Sequence, residues 1–408
     1  MKKQNTSALI RWYIKHKTEF FVVLDTLFRI LSCVIPQKNI ILLESKPDFS
    51  DNTGELFRYM IENNVNSAYN IVWLVDDYGN GPCQMPPNVS TFPIHPKSIK
   101  DKIKLRYMLS LATCIICSHR FVFPYYKRRK QVFVYLDHGS PLKDCKNIYQ
   151  SIFSKDVFYV AQSDFFVDTI IDQYGIAREH IVSLGLPRND QLFNSAMNLE
   201  VVINSFSSYE KVVIWAPTFR YHASDNRVDC HSDMPLGIPI CYSKEDLVNF
   251  NDYLKEMNVL VILKPHPAQN IELIVDLHCS NIKILYSDDL IEAGIQTNEL
   301  LAQMDALITD YSSIYYDYLL LEKPIAITLD DYEQYKDEMG FVFENPLNVL
   351  KGDYIYDMQD LYTFIGSVLD ERDNSKEERE RVLKLIDQYR DPFSTKRVFD
   401  FIASKGVF

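Results

Sequence analysis

The sequence predicts an α/β chain in two domains, each a parallel sheet with helices on both faces, and three observations carry that expectation. Short apolar runs such as Val259-Leu-Val-Ile-Leu263 alternate with stretches of helical spacing, as strands buried on both faces do. The runs end repeatedly in turn-forming or chemically active residues, and in such sheets ligands bind outside the carboxyl ends of the strands. The 408 residues exceed one typical core and suit two domains.

Taken in order, residues 1–36 form a basic amphipathic segment. Lys2, Lys3, Arg11, Lys15 and Lys17 face a single acid, Glu19, before the apolar stretch Phe20 to Ile35. Asp25 and Arg29 interrupt that stretch, which argues against a secretory signal. Two readings stand: a helix lying on an anionic membrane surface, or a first helix packed on its own domain. No uncharged apolar span is long enough to predict a transmembrane helix.

Residues 37–200 read as the first sheet domain. Strands are expected at Asn39–Leu43, Ile71–Val75, Thr113–Ser118, Gln131–Leu136 and Val157–Ala161, with helices at Gly54–Ile61 and about Ile99–Leu111. His119-Arg120 follow the third strand and Asp137-His138-Gly139-Ser140-Pro141-Leu142-Lys143 the fourth. A histidine just past a strand end, beside a glycine that allows close approach, could take a proton near neutral pH; on its own a loop histidine is more often structural. In Gly185-Leu-Pro187-Arg188-Asn189-Asp190, glycine and proline shape a turn that presents Arg188, suited to a phosphate or simply a surface arginine.

A polar crossing over 194–210 leads to the second domain, 201–408. Its expected strands are Val212–Trp215, Val259–Leu263, Ile282–Leu285, 306–308 and Ile325–Thr328. The first ends in Ala216-Pro217-Thr218-Phe219-Arg220, the second in Lys264-Pro265-His266-Pro267, and the fourth in Thr309-Asp310-Tyr311-Ser312-Ser313. Apolar residues from Ile314 to Leu321 recur at helical spacing, so Ser312 or Ser313 is the expected N-cap, and a capped helix start beside two hydroxyls suits a phosphate. An ordinary turn whose serines merely cap remains the alternative. Residues 222–240 read as a long loop, a lid or an insertion, and residues from about 357 onward as helical.

Composition narrows the chemistry. A net charge of −12 argues against a nucleic-acid binder, yet leaves room for a local pocket of cations. Eight scattered cysteines, mostly in apolar runs, fit free thiols, and the Cys114–Cys117 pair on a strand points two ways with no second pair to complete a zinc site. No Gly-x-Gly-x-x-Gly, Walker or His-Glu-x-x-His pattern occurs.

Five motifs in order now carry a resemblance: His138-Gly-Ser-Pro-Leu-Lys143, Gly185-Leu-Pro-Arg-Asn-Asp190, Ala216-Pro-Thr-Phe-Arg220, Lys264-Pro-His-Pro267, and Thr309-Asp-Tyr-Ser-Ser313 running to Asp317 and Lys323-Pro324. Across about residues 130 to 330 the chain resembles the CDP-glycerol glycerophosphotransferases of teichoic-acid and capsule synthesis. The resemblance implies a GT-B-type architecture: two doubly wound domains facing across a cleft, with a C-terminal helix crossing back. It implies a CDP-linked polyol donor (glycerol, or ribitol in relatives), a lipid-linked or polymeric glycan acceptor, and work at the inner face of the membrane without spanning it. His138 is then the base. Lys264, His266, Arg220, Ser312 and Ser313 hold the donor pyrophosphate, with His266 counted among the catalytic residues. Arg188 joins that cluster, and Asp310 shapes the donor loop together with Asp317. No obligatory metal or cofactor is expected, although the paired acids 288–289 and 330–331 leave a divalent cation open. A nucleotide-sugar transferase of the same fold, or a membrane-surface scaffold without chemistry, are the rival expectations.

Overall fold

The computed structural model describes residues 23–24, 26–28, 30, 35–76, 84–119, 128, 130–149, 156–193, 198–222, 227–266, 272–275 and 277–408. The basic stretch 1–22, Arg120 and Pro267 lie outside the described residues.

The first sheet contains β1 (Lys38–Glu44), β2 (Asn70–Val75), β3 (Val89–Pro93), β4 (Ala112–Cys117), β5 (Val132–Tyr135), β6 (Phe158–Ala161) and β7 (Ile181–Ser183), in the order β3-β2-β1-β4-β5-β6-β7. Its registered pairings are parallel, for example Leu42 against Val72 on one side and Ile115 on the other. Between the strands run α1 (Asp51–Glu62), α2 (Ile99–Leu111), α3 (Lys146–Tyr149) and α4 (Val167–Tyr174). The strand centres are continuous apolar runs because both faces are covered; Ile41, Leu43, Trp73 and Ile115 are fully buried. The start of α2 is fixed by Ser98, whose hydroxyl accepts the Asp101 N–H at 3.0 Å. Cys114 and Cys117 are free, buried thiols within β4.

The second half supplies β8 (Lys211–Ala216), the two-residue strands β9 (Tyr221–His222) and β10 (Arg227–Val228), then β11 (Val259–Leu263), β12 (Ile282–Ile284), β13 (Ala306–Thr309), β14 (Ile325–Thr328) and β15 (Asp353–Ile355). Six of these make a parallel sheet, β12-β11-β8-β13-β14-β15, while β9 and β10 pair antiparallel. Its helices are α5 (Lys244–Glu256), α6 (Glu272–Val275), α7 (Ser287–Ala293), α8 (Thr297–Ala302), α9 (Ile314–Leu319), α10 (Tyr332–Glu338), α11 (Met358–Leu369), α12 (Lys376–Ile386) and α13 (Ser394–Ser404). Trp215, Phe250, Leu254, Leu263, Ile308 and Ile365 lie in one continuous core cluster. Burying a side chain of this kind contributes roughly 1.5–3 kcal/mol. Helix α5 opens on a reciprocal capping box, the Ser243 hydroxyl accepting from Asp246 N and the Asp246 carboxylate from Ser243 N.

In both sheets the first strand lies inside, its successors run outward on one side, and the fourth returns to its other side. That reversal opens a crevice at the carboxyl ends of β1 and β4 in one sheet and of β8 and β13 in the other. By contact the chain divides into two compact units. One holds the residues up to Asp137, Ser154–Tyr159 and Phe399–Phe408; the other holds His138–Phe153 and Val160–Val398. Helix α13 thus leaves the second unit at Val398, and its continuation is anchored in the first, where Phe399 meets Tyr59 edge-on at 5.2 Å and stacks on Phe408 at 4.5 Å. No described helix is long and apolar enough to cross a membrane.

Candidate active site

The carboxyl ends of β8 and β13 are bridged by Asp310, which is fully buried. Its carboxylate accepts the Thr218 backbone N–H at 3.0 Å, the Thr218 hydroxyl at 2.9 Å and Arg220 Nη1 at 2.9 Å. Arg220, also buried, turns its other edge to Asp331 just beyond β14, with Nε–Oδ2 at 2.6 Å and Nη2–Oδ1 at 3.0 Å. Burial alone would push the Asp331 carboxyl up. The hydrogen bonds and charge of Arg220, with help from Ser232 and Tyr311, outweigh burial and hold it below the usual carboxylate range. A guanidinium has five N–H donors, and these contacts leave one, on Nη2, without a partner among the described residues. Arg220, expected as a donor clamp, also ties three strand ends together.

The turn after β5 belongs to the same unit from His138 onward. Asp137 has a left-handed backbone (φ 53°), its carboxylate accepts from Tyr159 Oη, and its carbonyl accepts from Asn52 Nδ2 at 2.9 Å. Past it, Arg188 Nη1 donates to the His138 carbonyl at 2.5 Å, and Nη2 pairs with Asp317 at 2.7 Å. Arg188 itself is set by Asn298, which donates to the Arg188 carbonyl at 3.2 Å and to Asn189 Oδ1 at 3.0 Å. Gly139 (φ 154°) is required here, since a Cβ would lie 2.8 Å from Ser313 Cβ, closer still to its Oγ, and 3.3 Å from Arg188 Nη2. The His138 turn is thereby pressed onto the start of α9.

Ser313 occupies the N-cap position of α9, but its hydroxyl makes no capping bond. The Ser313 hydroxyl is thus left for another partner. The helix is six residues long, so its dipole adds little and the side chains carry the chemistry. Beyond β11, burial pushes the Lys264 ammonium down to about 8, and its Nζ lies 3.4 Å from Ser287 Oγ. His266 is exposed and its ring centroid is 4.5 Å from that of Phe219. Phe219 also meets Lys143, whose Nζ lies 5.4 Å from the ring centroid and 3.3 Å from Asp229 Oδ2. Burial lowers the Lys143 pKa, opposed by Asp229 and Asp310.

The structure thus brings His138, Gly139, Arg188, Ser313 and Asp317 into one contact set, and Thr218, Arg220, Asp310 and Asp331 into a second. Lys143 and His266 share Phe219, and Lys264 stands at the end of the adjacent strand β11. Sequence analysis did not foresee Asp229 and Asn298 as partners, and it met Asp331 after β14 only as one of a pair of acids, not as the counter-ion of Arg220. Lys323 is a structural member of its motif, donating to the Ala302 and Met304 carbonyls at the end of α8. The described part of the loop 222–240 is held down through Asp229, through His231 on Glu338, and through Ile240 N on Asp330. Of the paired acids, Asp289 accepts from Tyr286 N and Asp330 from Tyr242 as well as Ile240. Among the described residues no three His, Cys, Asp or Glu side chains gather as a metal site would require.

Comparison with known proteins identifies the family. Residues 26–404 match the family described as CDP-Glycerol:Poly(glycerophosphate) glycerophosphotransferase. A teichoic acid glycerol-phosphate primase of Bacillus subtilis is 27% identical over 67% of this chain and 70% of its own length. A teichoic acid ribitol-phosphate polymerase of Staphylococcus aureus is 24% identical over 87% of this chain, which spans 60% of that longer protein. Among solved structures, a variant of the wall teichoic acid polymerase TagF superposes with a TM-score of 0.71 at 18% identity, covering 98% of both chains. The two-sheet α/β fold, of GT-B type, is shared with it.

Proposed function

The chain belongs to the CDP-glycerol:poly(glycerophosphate) glycerophosphotransferase family, and on that premise we propose that it moves glycerol phosphate from CDP-glycerol to a hydroxyl of a prenyl-lipid-linked glycan or polyol-phosphate acceptor. The acceptor oxygen forms a bond to the phosphorus that carries glycerol. The bond from that phosphorus to the bridging oxygen breaks, and CMP leaves with the electron pair. His138 takes the hydroxyl proton. Ser312, Ser313, Lys264 and His266 hold the pyrophosphate and offset the charge that grows on CMP. Arg188, Arg220 and Asp310 act chiefly by fixing those groups, with the remaining Nη2 hydrogen of Arg220 available to the donor.

The observation that carries this reading is the approach of Gly139 to Ser313, which seats the histidine turn on the hydroxyl-bearing start of α9. A base and a set of phosphate-binding groups on one rim is what a transfer between hydroxyl and pyrophosphate requires. Relatives bearing ribitol-phosphate names make CDP-ribitol the second reading. Purified protein given CDP-glycerol, CDP-ribitol or UDP-sugars with a synthetic prenyl-linked acceptor separates these by product mass. Release of CMP with addition of one or more glycerol phosphates is expected; exclusive use of CDP-ribitol would move the assignment, and no CMP release from either would support a scaffold. We place the protein at the inner membrane face through residues 1–36, and expect deletion of that segment to reduce co-sedimentation with anionic vesicles.

A further inference from the structure

Two residues beyond His138, Ser140 begins a buried hydrogen-bond chain that the transfer reaction does not explain. Its hydroxyl donates to Gln162 Oε1 at 2.6 Å, and Gln162 Nε2 donates to Asp387 Oδ2 at 2.8 Å. The other carboxylate oxygen accepts the Tyr389 N–H at 3.2 Å. All three side chains are buried, and the neighbouring Ser163 hydroxyl donates to the Ile386 carbonyl, so the exit of β6 grips the end of α12 at two points. The direction of the chain is set from its far end. A carboxylate only accepts, so Gln162 must turn its NH₂ to Asp387 and its carbonyl to Ser140, and Ser140 must donate.

We propose that Asp387 is a positioning residue for the transfer: through Gln162 it fixes the Ser140 hydroxyl and with it the turn that presents His138. The inference rests on the reading of His138 as the base. Ser140 adjoins Gly139, where an added Cβ would collide with Ser313, so a small rotation of the turn would drive backbone into α9 or draw the turn that carries His138 away from it. Arg188 holds the same turn by the His138 carbonyl and reaches Asp317. The turn is therefore clamped at both ends by buried carboxylates, one through an arginine and one through a glutamine.

This second clamp titrates. Burial pushes the Asp387 carboxyl up to about 6, and the charge of Asp317 on α9 adds to the rise. The Gln162 and Tyr389 donors and the charge of Arg390 oppose it. Protonation below about pH 6 removes the charge that orients Gln162, so the ordered turn is present above that value and lost as the pH falls through it.

The test is the pH profile of kcat for CMP release from CDP-glycerol with a prenyl-linked acceptor, in the full chain and in Asp387→Asn and Ser140→Ala. If His138 must be deprotonated and protonation of Asp387 slows turnover about tenfold, log kcat of the wild type carries an added fall of about one unit centred near pH 6, on top of the slope of one from a single base. In both variants that added fall is absent, kcat at pH 8 drops roughly tenfold, and KM for CDP-glycerol changes little. Melting temperatures confirm that Ser140→Ala, a small deletion, still folds. Variants that melt earlier yet keep the added fall near pH 6 and kcat within about twofold would make the chain a mere brace for α12 and overturn the proposal. His138→Ala separates the two layers: a fast His138→Ala removes the base reading and the proposal with it, while a slow His138→Ala beside an unaltered Asp387→Asn overturns the positioning role alone.

Discussion

The two sheets share one winding order, and each buries a carboxylate where that order reverses, yet the surroundings differ. In the first sheet Glu44 ends β1, its backbone carbonyl accepting Ser118 N–H at 3.1 Å and its carboxylate accepting His119 N–H at 3.2 Å. Its neighbours at that rim include Ser45, Asn52, Thr53 and Ser118, all buried and uncharged. In the second sheet Asp310 plays the matching bridge, but it is met by Arg220, with Lys143 close enough to feel its charge. Topology fixes where a crevice opens; side chains at the strand ends decide which ligand it suits. The second strand-end cluster holds cations and hydroxyls, as the proposed donor site requires, whereas the described part of the first offers chiefly hydroxyl and amide groups.

The largest test of that contrast is Arg220→Met. It strands Asp310 and Asp331 together in a buried site and should cost about 3–5 kcal/mol in urea unfolding. Gly139→Ala comes next. The added methyl meets Ser313, and we expect kcat to fall about a hundredfold through misplacement of the turn, with partial recovery in the double variant with Ser313→Gly. No recovery would mean that the turn and α9 do not act together. Glu44→Gln keeps an acceptor for His119 N–H and should cost only about 1–2 kcal/mol; a loss equal to that of Arg220→Met would erase the difference between the crevices.

A smaller effect is expected from pH. Lys264 is charged below about 8 and neutral above it, so KM for CDP-glycerol should rise about fivefold from pH 8 to 9, and should stay flat in Lys264→Arg. A flat wild-type profile would remove Lys264 from the donor site. Smallest of all is chelation: with Asp289, Asp330 and Asp331 committed to protein donors, EDTA should change turnover less than about twofold. A larger loss restored by magnesium would assign a cation.

The interior of the fold was legible because buried strands announce themselves. Val259–Leu263 and Ile325–Thr328 agree with β11 and β14 residue for residue, and Asn39–Leu43 lies one residue inside β1 at each end. Besides the two-residue pair β9 and β10, the strands that escaped, β3, β7 and β15, are all at the edges of the two large sheets. An edge strand is covered on fewer sides, so sequences such as Val89-Ser-Thr-Phe-Pro93 lack a continuous apolar run. At the site, the strand-end rule singled out His138, Lys264, His266 and Ser313 because it reads position along the chain. It could not reveal the ion pairs of Arg220 and Arg188, whose counter-ions lie 90 to 129 residues away. A strand-end arginine that grips a carboxylate and one that awaits a phosphate look alike until those partners are seen.

One measurement bears most directly on the account: CDP-glycerol binding and single-turnover CMP release compared in wild type and His138→Ala. If the second crevice holds the donor and His138 only takes the proton, binding should change less than about threefold while CMP release slows by roughly 10²–10⁴. A folded His138→Ala protein that releases CMP at the wild-type rate, or one that no longer binds CDP-glycerol, would contradict that division of labour.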